Sequence, residues 1–152
     1  MDDWRNVHDV RDSIDGYLQV PSVDMGLTSE AWAYTLSDLR DRQSHFMYCV
    51  MVLIDEIFER GYECTGGDLM RDKRVFGVVG EAKGYGSPSS NHKQRLAIDI
   101  NLFKDGKFLQ NTEDHRIFGE YWESLDERNR WGGRFNDGNH YEVLPHGTRS
   151  NQ

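Results

Sequence analysis

Cysteine is scarce in this chain of 152 residues: there are two, Cys49 and Cys64, fifteen positions apart. With no CxxC pair, the sequence supports neither a disulfide framework nor a thiolate zinc knuckle, so any metal must be held by histidine and carboxylate. Long apolar runs are missing too. The longest, Phe46 to Ile54, is far short of the ~20 residues that a membrane-spanning helix needs. The opening Met1-Asp2-Asp3-Trp4 has no charged-then-apolar leader pattern, and the expectation is a monomer kept soluble in a cytoplasm, with no membrane partner. Positive charge is in deficit: 18 Lys+Arg against 26 Asp+Glu leave a net charge of −8, the wrong sign for gripping phosphate backbones, which argues against nucleic acid as a partner. What remains, at 37% hydrophobic and 29% charged residues, is a polar chain of one domain's length that can fold around a core.

No internal repeat or low-complexity tract interrupts it. Residues 1–28 are rich in Asp, with scattered apolar residues and room for a short helix from Val7 to Leu18, and read as an appendage of no assigned role. From Ser29 the pattern turns helical. Phe46, Cys49, Val50, Leu53, Ile54, Ile57 and Phe58 recur at the spacing of one helix face, and Gly61 stands where a stop belongs. Tyr62 to Thr65 reads as a brief strand, and Val75 to Ser90, rich in Gly, Ser and Lys, as a long surface loop of the kind usually kept for function. Leu96 to Phe103 is the best strand, with Leu96, Ile98, Ile100 and Leu102 alternating with Ala97, Asp99 and Asn101. Asp105-Gly106 is a hairpin signal. Asn111 or Thr112 caps a second helix with Ile117, Phe118, Tyr121, Trp122 and Leu125 as its stripe, and a last strand runs near His140 to Leu144. The sum is α+β: a small antiparallel sheet with a long N-terminal helix and a second helix packed on it. Domain bounds of 29–146, with a tail at 147–152, follow from these elements.

Chemistry concentrates in three places: His92 before the best strand, Asp99 within it, and His140 at the start of the last strand. Two imidazoles and a carboxylate make a zinc shell that leaves a fourth, tetrahedral position for water. Seven positions is an odd separation, so His92 and Asp99 on one straight strand would face opposite ways. They converge only if His92 lies on a bend, where Ser89-Ser90-Asn91 put it. Asp137, three residues before His140, is placed to take a proton from a metal-bound water, with Glu142 the next candidate. Six histidines also allow a chance grouping, and His45 and His115 read as surface or capping residues.

The stretch Ser90-Asn91-His92-Lys93-Gln94-Arg95-Leu96-Ala97-Ile98-Asp99 resembles the S-x-H-x-x-G-x-A-x-D signature of the zinc peptidases of the D-Ala-D-Ala carboxypeptidase and L-alanyl-D-glutamate endopeptidase group. Trp131-Gly132-Gly133-Arg134-Phe135 and Asp137-Gly138-Asn139-His140-Tyr141-Glu142 are similar to the end of its bacteriophage endolysin branch. The resemblance implies a hedgehog/DD-peptidase-like zinc fold, zinc on His92, Asp99 and His140, Asp137 as the catalytic base, and peptidoglycan stem peptides as substrate. If phage-encoded, the protein would sit in the host cytoplasm and reach the wall through other factors. Two departures stand out. Arg95 replaces the family glycine, which implies that the chain near the metal cannot use a glycine-only conformation there, and Asp137 replaces the glutamate of the carboxypeptidase branch.

Arg71 falls where such peptidases carry an arginine and could hold a substrate carboxylate or the oxyanion of the intermediate; the alternative is a surface ion pair with Asp68 or Asp72. Ser90 either touches substrate or forms a turn. The rival to a peptidase is a binding or structural module that uses zinc only as a brace.

Overall fold

A computed structural model describes residues 39–149. The expected helix at Val7 to Leu18, the helical onset at Ser29 and the last residues of the tail lie outside them. Helix α1 spans Leu39–Glu59 and buries Phe46, Cys49, Val50, Leu53 and Ile57. Phe58, expected on that face, is exposed. At 100° per residue it lies about 120° round the helix from Phe46, beyond the edge of the stripe. The helix ends in a Schellman arrangement: the Tyr62 amide donates to the Ile57 carbonyl and the Gly61 amide to that of Phe58, with Gly61 at φ +70°.

Five strands follow, all antiparallel: β1 (Glu63–Gly66), β2 (Ala97–Lys104), β3 (Lys107–Leu109), β4 (Asn129–Trp131) and β5 (His140–Val143). The central strand is β2. Its one edge takes β1; its other takes β5 along residues 97–99 and β3 along residues 102–104, with β4 outside β5. Residues Asp105 and Gly106, both at positive φ, close the β2–β3 hairpin. Helix α2 is a single turn, Lys73–Phe76, whose last two residues fall in the stretch from Val75 expected to be loop. Helix α3 (Arg116–Leu125) is reached through a 3-10 turn at Thr112–His115 whose capping box pairs Asn111 with Asp114.

Register gives the sheet two unlike faces. Ile98, opposite Tyr141 and through it Trp131, shares its face with Ile100 and Leu102. This side forms the core with α1 and α3, where Phe46 and Trp122 meet edge to face with centroids 6.0 Å apart, as do Trp122 and Tyr141. The other face carries Asp99 opposite His140, and Ala97 opposite Glu142 and through it Arg130. Of the expected α3 stripe, Phe118 and Trp122 are buried but Ile117 is exposed. In its place Gly119 is buried, because a Cβ there would stand 2.0 Å from the Trp131 indole. No helix among the described residues is long and apolar enough to cross a membrane.

Candidate metal centre

Three elements deliver three side chains to one point on the polar face of the sheet. Asp99 and His140 are register partners on β2 and β5, so they project side by side. His92 arrives from a 3-10 turn, Asn91–Gln94, and the parity problem is solved by the residue that ends it. Arg95 sits at φ 56°, ψ 41°, in the left-handed region, and swings the chain from the turn into the strand. This is a region that glycine favours but that arginine can also enter, so the turn needs no glycine-only conformation. Arginine occupies that conformation, at a cost of order 1 kcal/mol, held by the Arg95 amide on the His92 carbonyl and the Leu96 amide on that of Asn91.

The three donor atoms form a small triangle: His92 Nε2 to His140 Nδ1 3.2 Å, His140 Nδ1 to Asp99 Oδ1 3.1 Å, and His92 Nε2 to Asp99 Oδ1 3.3 Å. A tetrahedral ion with ligand bonds of about 2.0 Å has ligand-to-ligand edges of about 3.3 Å, so this triangle suits one face of such a shell. Both histidines are buried and Asp99 half-buried. Burial alone would raise the Asp99 pKa, but bonds from His140 and His92 outweigh it and hold the carboxyl well below the usual range. Burial would likewise lower the His140 pKa; Asp99 and Glu142 outweigh it and push it up to about 9.

Behind His140 stands Glu142, which is itself buried. Its Oε2 lies 3.0 Å from His140 Nε2 and accepts from Asn91 Nδ2 at 2.8 Å, while its Oε1 pairs with the Arg130 guanidinium. An ionised carboxylate only accepts, so Nε2 carries a proton held by Glu142, and Nδ1, turned toward the triangle, is the nitrogen whose lone pair a bound metal would take in place of a proton. Burial raises the Glu142 pKa, yet His140 and Arg130 bring it below the ordinary value. Saturated with donors in this way, Glu142 cannot be the alternative proton carrier that the sequence allowed. The histidine-to-glutamate alternation along β5 is the signal that could have placed it here; the contributions of Asn91 and Arg130 leave none.

Asp137 is exposed and stands outside the triangle, on the loop that runs into β5. The loop is pinned by Trp131, whose indole Nε1 donates to the Gly138 carbonyl at 2.7 Å and whose ring leaves no room for a Cβ at Gly133. The Asp137 amide donates to the Gly132 carbonyl, and its own carbonyl accepts from the His140 amide, one turn before that imidazole. Asp137 also lines a depression of about 290 Å³ together with His115. His115 is buried, not a surface residue; it stands at the N-cap position of α3 without a side-chain cap bond, its Nδ1 3.2 Å from the Tyr141 hydroxyl. Burial lowers its pKa, opposed by a backbone bond to Leu109 and by the charges of Asp114 and Asp137.

Arg71 and Ser90 are brought together beside this cluster. Arg71 Nη1 donates to Ser90 Oγ at 3.0 Å, and its backbone amide bonds to the His92 carbonyl at 3.3 Å. Asp68 is only loosely paired, 3.9 Å from Arg71 Nε, and the guanidinium lies 5.3 Å from the Tyr85 ring centre.

An α+β domain with a half-buried His-Asp-His cluster at the meeting of two strands and a turn is a candidate metal-binding hydrolase. A family model described as D-alanyl-D-alanine carboxypeptidase matches residues 83–143, the span that holds His92, Asp99, Asp137 and His140. That match supports a peptidase reading of the chain. No curated protein matches it.

Proposed function

We propose that the chain is a zinc-dependent peptidase that hydrolyses peptide bonds in the stem peptides of bacterial peptidoglycan, at L-Ala-D-Glu or D-Ala-containing bonds, in the manner of a bacteriophage endolysin. The observation that carries this reading is the closed triangle of His92, Asp99 and His140 inside a segment similar to a peptidase family. Zinc bound there supplies Lewis acidity toward the scissile carbonyl and a water of lowered pKa. Asp137 accepts the proton of the attacking water and hands it to the leaving amine, a task suited to an exposed carboxylate. Arg71 directs its guanidinium at a substrate carboxylate or at the charge that develops on the carbonyl oxygen, with Ser90 fixing the arm. Glu142 keeps His140 in the tautomer that offers Nδ1.

On this reading residues 29–146 form the peptidase domain of a monomer, residues 1–28 an appendage and 147–152 a tail, and the protein is held in the host cytoplasm until released to the wall. The test is to digest purified peptidoglycan and synthetic stem peptides and weigh the fragments by mass spectrometry. A single new amine–carboxylate pair per peptide is the expected result. Intact peptides from a protein that binds zinc and melts higher with it would make the zinc a brace and the chain a binding module.

A further inference from the structure

On a chain of net charge −8, positive side chains converge at one place. An open depression of about 640 Å³ is lined by Arg71, Lys73, Arg74, Lys93 and Arg95 against a single carboxylate, Asp72. It adjoins the triangle through its walls: Arg71 is tied to Ser90 and the His92 carbonyl, while Lys93 and Arg95 flank the turn that carries His92. These charges are not equivalent. Arg74 is spent on Asp72, and the Lys93 ammonium donates to the Val78 and Glu81 carbonyls, holding the loop that forms the opposite wall. Lys73 and Arg95 are exposed and, among the described residues, neither forms a salt bridge with a carboxylate, although Asp72 is close enough to feel the Lys73 charge; Arg95 Nε reaches only the Met70 sulfur at 3.3 Å. The same depression is lined by the short aliphatic side chains of Val78 and Val79, more than half exposed.

We propose that this depression is a subsite for a carboxylate on the substrate peptide beyond the scissile bond, contacted by Lys73 and Arg95, with Val78 and Val79 against a small alkyl side chain. Resting on the peptidase reading, it narrows the substrate to an acidic peptide. Free-charge recognition suits the surface because a carboxylate gains from two uncommitted cations, whereas an amide of the same shape gains little. Arginine at position 95 thus does what glycine could not: its backbone makes the turn and its side chain charges the pocket.

The test uses three peptides of sequence L-Ala-γ-D-Glu-L-Lys-D-Ala-D-Ala: one with both carboxylates free, one amidated at the glutamyl α-carboxylate, and one amidated at the C-terminus. Affinity is read by calorimetry on the zinc-loaded Asp137→Asn protein, and turnover on the unaltered protein. Amidating one of the two carboxylates is expected to weaken binding on the order of tenfold, and which one does so identifies the occupant. In Lys73→Gln/Arg95→Asn, whose asparagine tolerates the left-handed backbone, that preference disappears while the melting temperature holds. Equal affinity for all three peptides, or a preference that survives in the double variant, overturns the subsite. Cleavage without preference leaves the peptidase reading intact while removing the subsite; preference without cleavage of any peptide does the reverse.

Discussion

The two walls of the site are built on opposite principles. The wall formed by β2 and β5 is a register-locked pair of strands whose polar side chains are buried or half-buried and each bonded more than once, Asp99 to two imidazoles and Glu142 to His140, Asn91 and Arg130. The facing wall, from Arg71 to Ser90, has one turn of helix, glycine-rich loop and exposed side chains such as Val75, Val79 and Tyr85. Rigid strands suit ligands that must hold their places to within fractions of an ångström, and a loop with few buried contacts suits a surface that orders around substrate. The difference locates two kinds of failure: damage to the strand wall should cost metal, damage to the loop wall should cost substrate.

Substitutions can break that division, beginning with the residue that belongs to neither wall. Asp137→Asn keeps the shape and removes the base, so zinc content should be unchanged while kcat falls on the order of 10²–10⁴ in a steady-state assay. Unchanged turnover would move the proton carrier elsewhere. On the loop wall, Arg71→Ala should leave zinc content and melting temperature near the starting values and lower kcat/KM by a charged hydrogen bond of ~1.5–3 kcal/mol, roughly 10- to 150-fold. If the variant unfolds while activity per folded molecule stays normal, Arg71 is a structural partner of Ser90 and Tyr85. On the strand wall, Glu142→Gln should weaken zinc binding by about 10- to 100-fold in a competition titration with a chelator, because His140 loses the charged acceptor that fixes its tautomer and the new amide NH2 competes with the Arg130 and Asn91 donors. A variant with undiminished affinity would show that packing alone orients the ring.

The smallest effect lies in the scaffold behind both walls. Burial raises the Asp126 pKa, but three bonds from Arg128 outweigh it, and the folded carboxyl sits below its usual value. A depressed folded pKa gives stability that is present above about pH 4 and is lost as pH falls through the lower folded value. With Asp126 partly open to solvent the loss should be on the order of 1 kcal/mol or less. Acid melts of Asp126→Asn should lack this component while zinc affinity at neutral pH stays put.

The same contrast governs how much the sequence disclosed. Periodicity carries the strand wall and the core, because alternation at Leu96–Leu102 and the Phe46–Ile57 stripe are direct images of which faces are buried. Residue type and the resemblance group His92, Asp99 and His140, but neither says what closes the triangle, since the left-handed turn at Arg95 contradicts the residue's own preference. The short strand β4 escapes notice because three residues carry too little pattern, and the Gly119–Trp131 approach is a contact between elements that no local rule encodes. His115 was misplaced for a related reason: its burial comes from Tyr141, on a strand 26 residues away. The loop wall is legible only as composition, and its basic lining emerges when residues 71–74 fold against residues 93–95.

The central claim is that three side chains make one zinc site on which hydrolysis depends. It is tested most directly by stripping the protein with chelator and adding zinc back while binding and stem-peptide cleavage are followed together. Binding should saturate at one equivalent per chain and cleavage should rise in step with it, with both lost in His92→Ala. Full cleavage by the stripped protein, or one tightly held zinc in His92→Ala, would contradict the account.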